Sequence, residues 1–222
     1  MRFHNRTEAG QMLAKPLEQY RGEVVVFALP RGGVVLGAEV ARHLQAPLDL
    51  LIPRKIGHPS NPEYAVCALA ESGHLACSPQ ALASLDAEWL EEAVKRERVE
   101  AARRRALYLA GRPPISAAGK TAIIIDDGAA TGLTMIAAIL DAKERRPAKI
   151  VVAAPVLSTD IAQLLHKYAD EVTALNIPDF YLGAVGAYYE QFDQVDDDTV
   201  VEILNAESRQ ERDESRRQPP VL

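Results

Sequence analysis

Two adjacent carboxylates, Asp126 and Asp127, stand between an apolar run and a loop of small residues, Gly128-Ala129-Ala130-Thr131-Gly132-Leu133-Thr134. Carboxylates at a strand end can accept hydrogen bonds from the hydroxyls of a sugar. Successive side chains of a strand point to opposite faces. One acid can therefore face a ligand while the other organises the loop or the water around a metal. Small residues let the backbone approach a ligand closely. Thr131 and Thr134 add hydroxyls, and a helix starting here offers unpaired N–H groups and its positive dipole end to an anion. Carboxylates for hydroxyls and amides for phosphate suit a sugar phosphate.

Two basic segments could complete such a site. Pro30-Arg31-Gly32-Gly33 follows an apolar run, so glycine amides and a fixed guanidinium can turn toward an anion. Pro53-Arg54-Lys55-Ile56-Gly57-His58-Pro59 reads as a flexible loop opened by two adjacent basic residues, which the family resemblance given below makes the candidate catalytic residues Arg54 and Lys55. Closing such a loop would screen a reacting centre from water. Phe180, Tyr181, Tyr188, Tyr189 and Phe192 crowd a segment of a chain that is only 5% aromatic. They form either a platform for a flat ligand or an aromatic minicore closing a sheet edge.

The elements that must carry these groups follow from periodicity. Residues 24–29 and 122–125 are apolar without polar alternation, as strands buried on both faces are. Strand 24–29, the glycine turn, a helix over 34–44 and strand 48–52 make a right-handed βαβ unit with parallel strands. A helix is expected over 7–20 with Thr7 as its cap, followed later by a returning strand 64–70 and a hairpin partner 75–77. The pattern extends with helix 132–143, strand 150–156, helix 159–168 and strand 171–175. This is a doubly wound α/β fold with a mostly parallel sheet, and the acid pair sits at a strand C-terminus, where such sheets bind ligands. Residues 86–109 form a long helix in which Glu91, Glu92, Glu97 and Glu100 interleave with the arginines. That balance suits a helix that is solvated or faces a homodimer partner. One domain is expected over 1–205. Residues 206–222 are charged without an apolar face and are expected to be disordered.

Composition narrows the partners. The net charge of −6 and pI of about 5.4 argue against nucleic-acid or membrane-surface binding. Cys67 and Cys77 show no metal-ligand spacing and read as reduced thiols of a cytoplasmic protein. No apolar run approaches the roughly 20 residues of a membrane span.

The strand, acid pair and Thr-Gly loop of residues 122–134 resemble the PRPP-binding fingerprint of the type I phosphoribosyltransferases, PRPP being 5-phosphoribosyl-1-pyrophosphate. Asp126, Asp127, Thr131, Gly132 and Thr134 match it position for position. Pro-Arg-Gly-Gly, Arg-Lys, Asp-Asp-Gly-x-Ala-Thr-Gly and Val-Gly-Ala-Tyr-Tyr, in this order, are also similar to a bacterial group of predicted phosphoribosyltransferases over nearly the whole chain. The resemblance implies transfer of the phosphoribosyl group from PRPP to a nitrogen nucleophile, a nucleobase, with release of pyrophosphate, as in nucleotide salvage. Asp126 and Asp127 would hold the ribose. Ala129, Ala130, Thr131, Gly132, Leu133 and Thr134 would hold the 5-phosphate. Arg31, Gly32 and Gly33, with Arg54 and Lys55, would hold the pyrophosphate. Mg²⁺ would come mainly through PRPP, with Asp126 or Asp127 reached through water. A hood over about 177–197 would cover the base, with Phe180, Tyr181 and Tyr188 as its contacts. The pyrophosphate loop often holds a non-proline cis peptide, here at Pro30–Arg31 or Arg31–Gly32. Relatives that take 6-oxopurines carry an acid where Ala130 stands, which weighs against such a base. A non-catalytic PRPP- or nucleotide-sensing regulator would share the fingerprint; an Arg-Lys lid favours the enzyme.

Overall fold

The computed structural model describes residues 1–83 and 85–217, with side chains through residue 209. Helix α1 (Arg6–Leu17) is capped by Asn5, whose side chain accepts from the Glu8 amide, so the expected cap at Thr7 falls inside the helix. A 3-10 turn, Glu18–Tyr20, leads to strand β1 (Val24–Ala28), helix α2 (Gly32–Leu44) and strand β2 (Leu48–Leu50). Strands β3 (Arg54–His58), β4 (Asn61–Leu69) and β5 (Leu75–Cys77) come next, then helices α3 (Pro79–Leu82) and α4 (Ala87–Leu109). Strand β6 (Thr121–Ile125), helix α5 (Leu133–Glu144), strand β7 (Lys149–Val156), helix α6 (Thr159–Leu165) and strand β8 (Glu171–Asn176) complete the wound core. A 3-10 turn, Val185–Tyr188, precedes helix α7 (Asp197–Arg217).

Five parallel strands in the order β2-β1-β6-β7-β8 form the main sheet. Registers Ala28↔Leu50 and Ala28↔Ile125 bring the tips of β2, β1 and β6 level, and β7 runs on past Ala153, the partner of Ile125, to Val156. Alternate side chains feed two cores. Val24, Val26, Ala28, Ile123 and Ile125 pack on the face of α1, α2 and α7; Val25, Phe27, Ile124 and Val152 pack on the face of α5 and α6. Burying each such side chain contributes about 1.5–3 kcal/mol. That two-sided burial is why these strands carry no polar alternation. The second sheet, β3-β4-β5, is antiparallel and packs Ile56, Val66 and Leu69 toward α4.

Three sequence expectations are corrected. The basic segment 53–62 is a paired hairpin arm, with Arg54 opposite Leu69 and Lys55 opposite Ala68; its Pro, Gly and Asn residues serve the irregular end of that arm rather than an open loop. Cys67 and Cys77 are disulfide-bonded rather than reduced, because β4 and β5 place them directly opposite each other. The end of the chain is not a free tail from residue 206: α7 runs to Arg217, and residues 218–222 lie outside the described residues. Glu207 is only 8% exposed and accepts from Arg42 at 2.7 Å, while Arg112 donates to the Leu204 carbonyl and the Asn205 side chain. Those two arginines give a charged, stripe-poor sequence its helix.

Candidate functional site

The apolar strand β6 delivers Asp126 and Asp127 to the C-terminal edge of the main sheet. The main chain fixes them on both sides: Leu29 N donates to the Ile125 carbonyl at 2.9 Å, and Ala129 makes a parallel bridge with Leu157 beyond the end of β7. The loop then turns into α5 through Gly132, whose φ of +73° lies in the left-handed region that favours glycine. The first-turn amides of α5 have no intrahelical acceptor. The loop and this turn border a cleft of about 180 Å³ whose walls include Asp126, the loop from Gly128 to Gly132, Thr134 and Lys55.

The two acids diverge as strand alternation requires. Asp126 faces this cleft, and its Oδ1 accepts from the Asp127 amide at 2.9 Å. Asp127 turns the other way, where its Oδ2 accepts from Arg6 Nε at 2.8 Å. Burial, and then the charge of Asp127, push the Asp126 carboxyl well above the usual carboxylate range. Burial also raises Asp127, against the pull of the Arg6 guanidinium.

The start of α2 wedges beside the pair. A Cβ on Gly33 would lie 2.7 Å from the Ile125 carbonyl oxygen and 3.0 Å from Asp126 Cα, and one on Gly32 would collide with the Asp127 carboxylate. Both positions therefore need glycine for close approach. The Pro30–Arg31 peptide is cis, one of the two candidate bonds. Arg31 reaches Asp197 of α7 at 3.7 Å and, with Arg6, Gly32 and Phe192, lines a second, more open cavity of about 350 Å³.

The structure divides the Arg54–Lys55 pair. Strand pairing sends the two side chains to opposite faces of β3. Lys55 lines the cleft and donates to the Glu63 carbonyl at 3.2 Å. Arg54 is turned to α4, where it pairs with Glu97 at 3.0 Å, so its expected place on the pyrophosphate is corrected to a structural one. The hood aromatics divide as well. Phe180 is 80% exposed, while Tyr188 is 4% exposed, belongs to the core, and its hydroxyl accepts from the Leu182 amide. Tyr181 stacks on Tyr188 with ring centroids 5.6 Å apart. Tyr188 is thus a packing residue that supports Tyr181, not a contact surface.

Sequence reasoning passed over Arg6 and gave Tyr189 and Phe192 no separate role in the site. Arg6 lies over the Phe192 ring at 3.8 Å and donates to the Asp193 carbonyl at 2.7 Å. The Tyr189 hydroxyl donates to the Asp127 carbonyl at 2.8 Å, and burial raises its pKa above the ordinary tyrosine value. A lone arginine at the start of a helix carries no motif; only the 121-residue separation closed by the fold reveals its partner.

The donor set suits a hard cation that brings most of its own ligands. Asp126 faces the cleft while Asp127 is turned to Arg6, and among the described residues no three His, Cys, Asp or Glu side chains gather into a metal cluster. Mg²⁺ commonly takes one or two carboxylates plus waters and substrate phosphates.

A five-stranded parallel sheet with an acid pair and an amide loop at its C-terminal edge defines the type I phosphoribosyltransferase class. The chain belongs to the phosphoribosyl transferase domain family, whose model matches residues 4–191. It is 40% identical over 210 residues, 93% of its length, to a Mycobacterium tuberculosis protein, in strains CDC 1551 and H37Rv, whose name gives it provisionally as a phosphoribosyl transferase. The chain spans about half the length, 47%, of these curated relatives. The crystal structure of the TT1426 protein from Thermus thermophilus is 41% identical and superposes with a TM-score of 0.77 over 92% of this chain and 98% of that one. Among the described residues no helix is long and apolar enough to cross a membrane.

Proposed function

We propose that the cleft binds PRPP and that the protein transfers its phosphoribosyl group to a ring nitrogen of a nucleobase, releasing pyrophosphate in a step of nucleotide salvage in the cytoplasm. The observation that carries this reading is that Asp126, the loop from Gly128 to Gly132, Thr134 and Lys55 wall one cleft. Loop amides and the Thr131 and Thr134 hydroxyls receive the 5-phosphate. Asp126 accepts from the ribose hydroxyls, and Asp127 holds the adjoining turn and its water. Mg²⁺, brought mainly by PRPP and reached by Asp126 or Asp127 through water, would neutralise charge on the pyrophosphate. As the C1–O bond breaks, the electron pair leaves with pyrophosphate and the ribose becomes an oxocarbenium-like cation, which the nucleobase nitrogen then attacks as its N–H proton passes to the departing pyrophosphate or to water. Protein groups act by position and charge: Lys55 meets the departing anion from the cleft side and Arg31 from the α2 side. The exposed Phe180 ring offers the base a stacking face.

A PRPP-sensing regulator is the second reading. One observation favours it: Arg54 and Lys55 sit in a paired strand, with Arg54 tied to Glu97, rather than in an open lid. Incubation with Mg²⁺, PRPP and a panel of purines and pyrimidines separates the two. Base-dependent pyrophosphate release is expected; PRPP binding without release for any base would leave the regulator.

A further inference from the structure

Arg6 makes three contacts on two parts of the chain. Its Nε donates to Asp127 Oδ2 at 2.8 Å, its second nitrogen donates to the Asp193 carbonyl at 2.7 Å, and its guanidinium plane lies 3.8 Å from the centre of the Phe192 ring. Both ends of the ion pair are well shielded, at 12% and 16% exposure. Phe192 and Asp193 belong to the segment that follows the Val185–Tyr188 turn. That segment is held as a unit: Phe3 donates to the Tyr188 carbonyl, Glu190 to the Phe3 carbonyl and Gln191 to the His4 carbonyl, and the Tyr189 ring packs on Phe3 and Phe192. The same unit touches the acid pair once more, through the Tyr189 hydroxyl on the Asp127 carbonyl.

We propose that Arg6 is a positioning residue that makes the hood answer to the ribose site: it grips Asp127, whose amide donates to Asp126 in the cleft, with one edge and the 192–193 segment with the other, so a sugar drawn onto Asp126 sets, through the turn that Asp127 holds, where the hood sits over the acceptor. The proposal rests on the PRPP reading of the cleft. A guanidinium can serve both anchors because its donors form a rigid planar fork and its face stacks on a ring. A lysine ammonium keeps the charge beside Asp127 but lacks the plane and the second edge. Arg6 is not placed against the reacting atoms, so its effect should fall on the acceptor rather than on the breaking bond.

Hydrogen exchange of the whole chain with and without Mg²⁺ and PRPP tests this on three proteins: the parent, Arg6→Lys and Phe192→Leu. In the parent, PRPP is expected to slow exchange in both residues 128–134 and residues 188–193. In Arg6→Lys the slowing at 128–134 is expected to persist and that at 188–193 to be lost. Phe192→Leu, which removes the ring and leaves Arg6 untouched, should show the same split and keeps the test sharp if one variant folds poorly. In turnover, Arg6→Lys should raise the KM for the base by about tenfold, the scale of one charge-assisted hydrogen bond, with a much smaller change in the KM for PRPP. Hood protection that survives in both variants, or two KM values that rise together, would overturn the positioning role alone. An absence of PRPP protection at 128–134 in the parent would instead remove the PRPP reading and this role with it.

Discussion

Asp126 and Asp127 are chemically alike and structurally unlike, and the difference is a matter of which neighbour each meets. Asp127 has a guanidinium at 2.8 Å, whereas Asp126 has a backbone amide and the charge of its neighbour. Burial raises both, and Asp126 further. An acid whose folded-state value lies above its unfolded value holds an extra proton in the folded protein between those two values. Stability therefore falls as pH rises through that window and levels off above it. Asp126→Asn removes this penalty and keeps an oxygen for the Asp127 amide. Thermal melts should show the variant above the parent at neutral pH and level with it near pH 3, where the acid is protonated in both states; a variant that melts lower at neutral pH would refute the raised pKa. The stability gained at Asp126 should be accompanied by weaker PRPP binding, a familiar trade at functional sites. Asp127→Asn keeps the shape of the turn and loses the charge facing Arg6. Calorimetry should show PRPP binding roughly ten- to a hundredfold weaker, the range for a hydrogen bond to a charged group, and unchanged affinity would take the acid out of the site.

Strand β3 shows how an element assigns roles that composition leaves open. Arg54 and Lys55 are equivalent as a basic dipeptide, but a paired strand must send them to opposite faces. Lys55→Ala should lower turnover with little change in melting temperature, because its contact with Glu63 is exposed and weak. Arg54→Ala should do the reverse, costing about 1–2 kcal/mol by leaving the largely buried Glu97 carboxylate with only its longer contact to Arg96 at 3.5 Å. Steady-state kinetics and denaturant melts on the two variants check the division; a larger catalytic loss from Arg54→Ala would reverse it. Helix α2 makes a second case. Its first turn lies against the tip of β6, so Gly33→Ala drives a Cβ into backbone that cannot rotate away. The expected cost is about 1–3 kcal/mol of stability from overpacking, with a matching loss of PRPP affinity as the acid pair is displaced. A variant that binds PRPP normally would show that the wedge does not position the site.

At the scale of the whole molecule, what sequence could reveal depended on how local the cause was. Strands β1, β6 and β7 announced themselves because both their faces are buried, and the acid pair with its loop could be placed because strand, turn and helix are consecutive. Arg6 could not be seen, since its partner lies at the end of β6 and its stacking ring beyond the Val185–Tyr188 turn. The Cys67–Cys77 bond was hidden for a similar reason: a spacing of ten residues says nothing about cross-strand register. The end of the chain is the sharpest instance. Charge without an apolar stripe implied disorder from residue 206, yet Val200 and Leu204 anchor α7 in the core, and Arg42 and Arg112 carry the helix past them. The Arg42 guanidinium is held above its usual value first by its hydrogen bond to Glu207, whose carboxylate is nearly enclosed. A chain ended after Ala206 loses that carboxylate, loses the Ser208 partner of Arg112, and leaves the last carbonyls of the shortened helix without donors. It should be less stable by about 1–3 kcal/mol, a drop of some 2–4 °C in Tm per kcal/mol for a chain of this size. Arg112 and Ser208 line a cavity with Leu48 and Asp49 that shares no residue with the cleft at Asp126, so PRPP affinity should stay unchanged in the shortened protein. Melting curves that overlay those of the full chain would return residues 207–222 to the status of a dispensable tail.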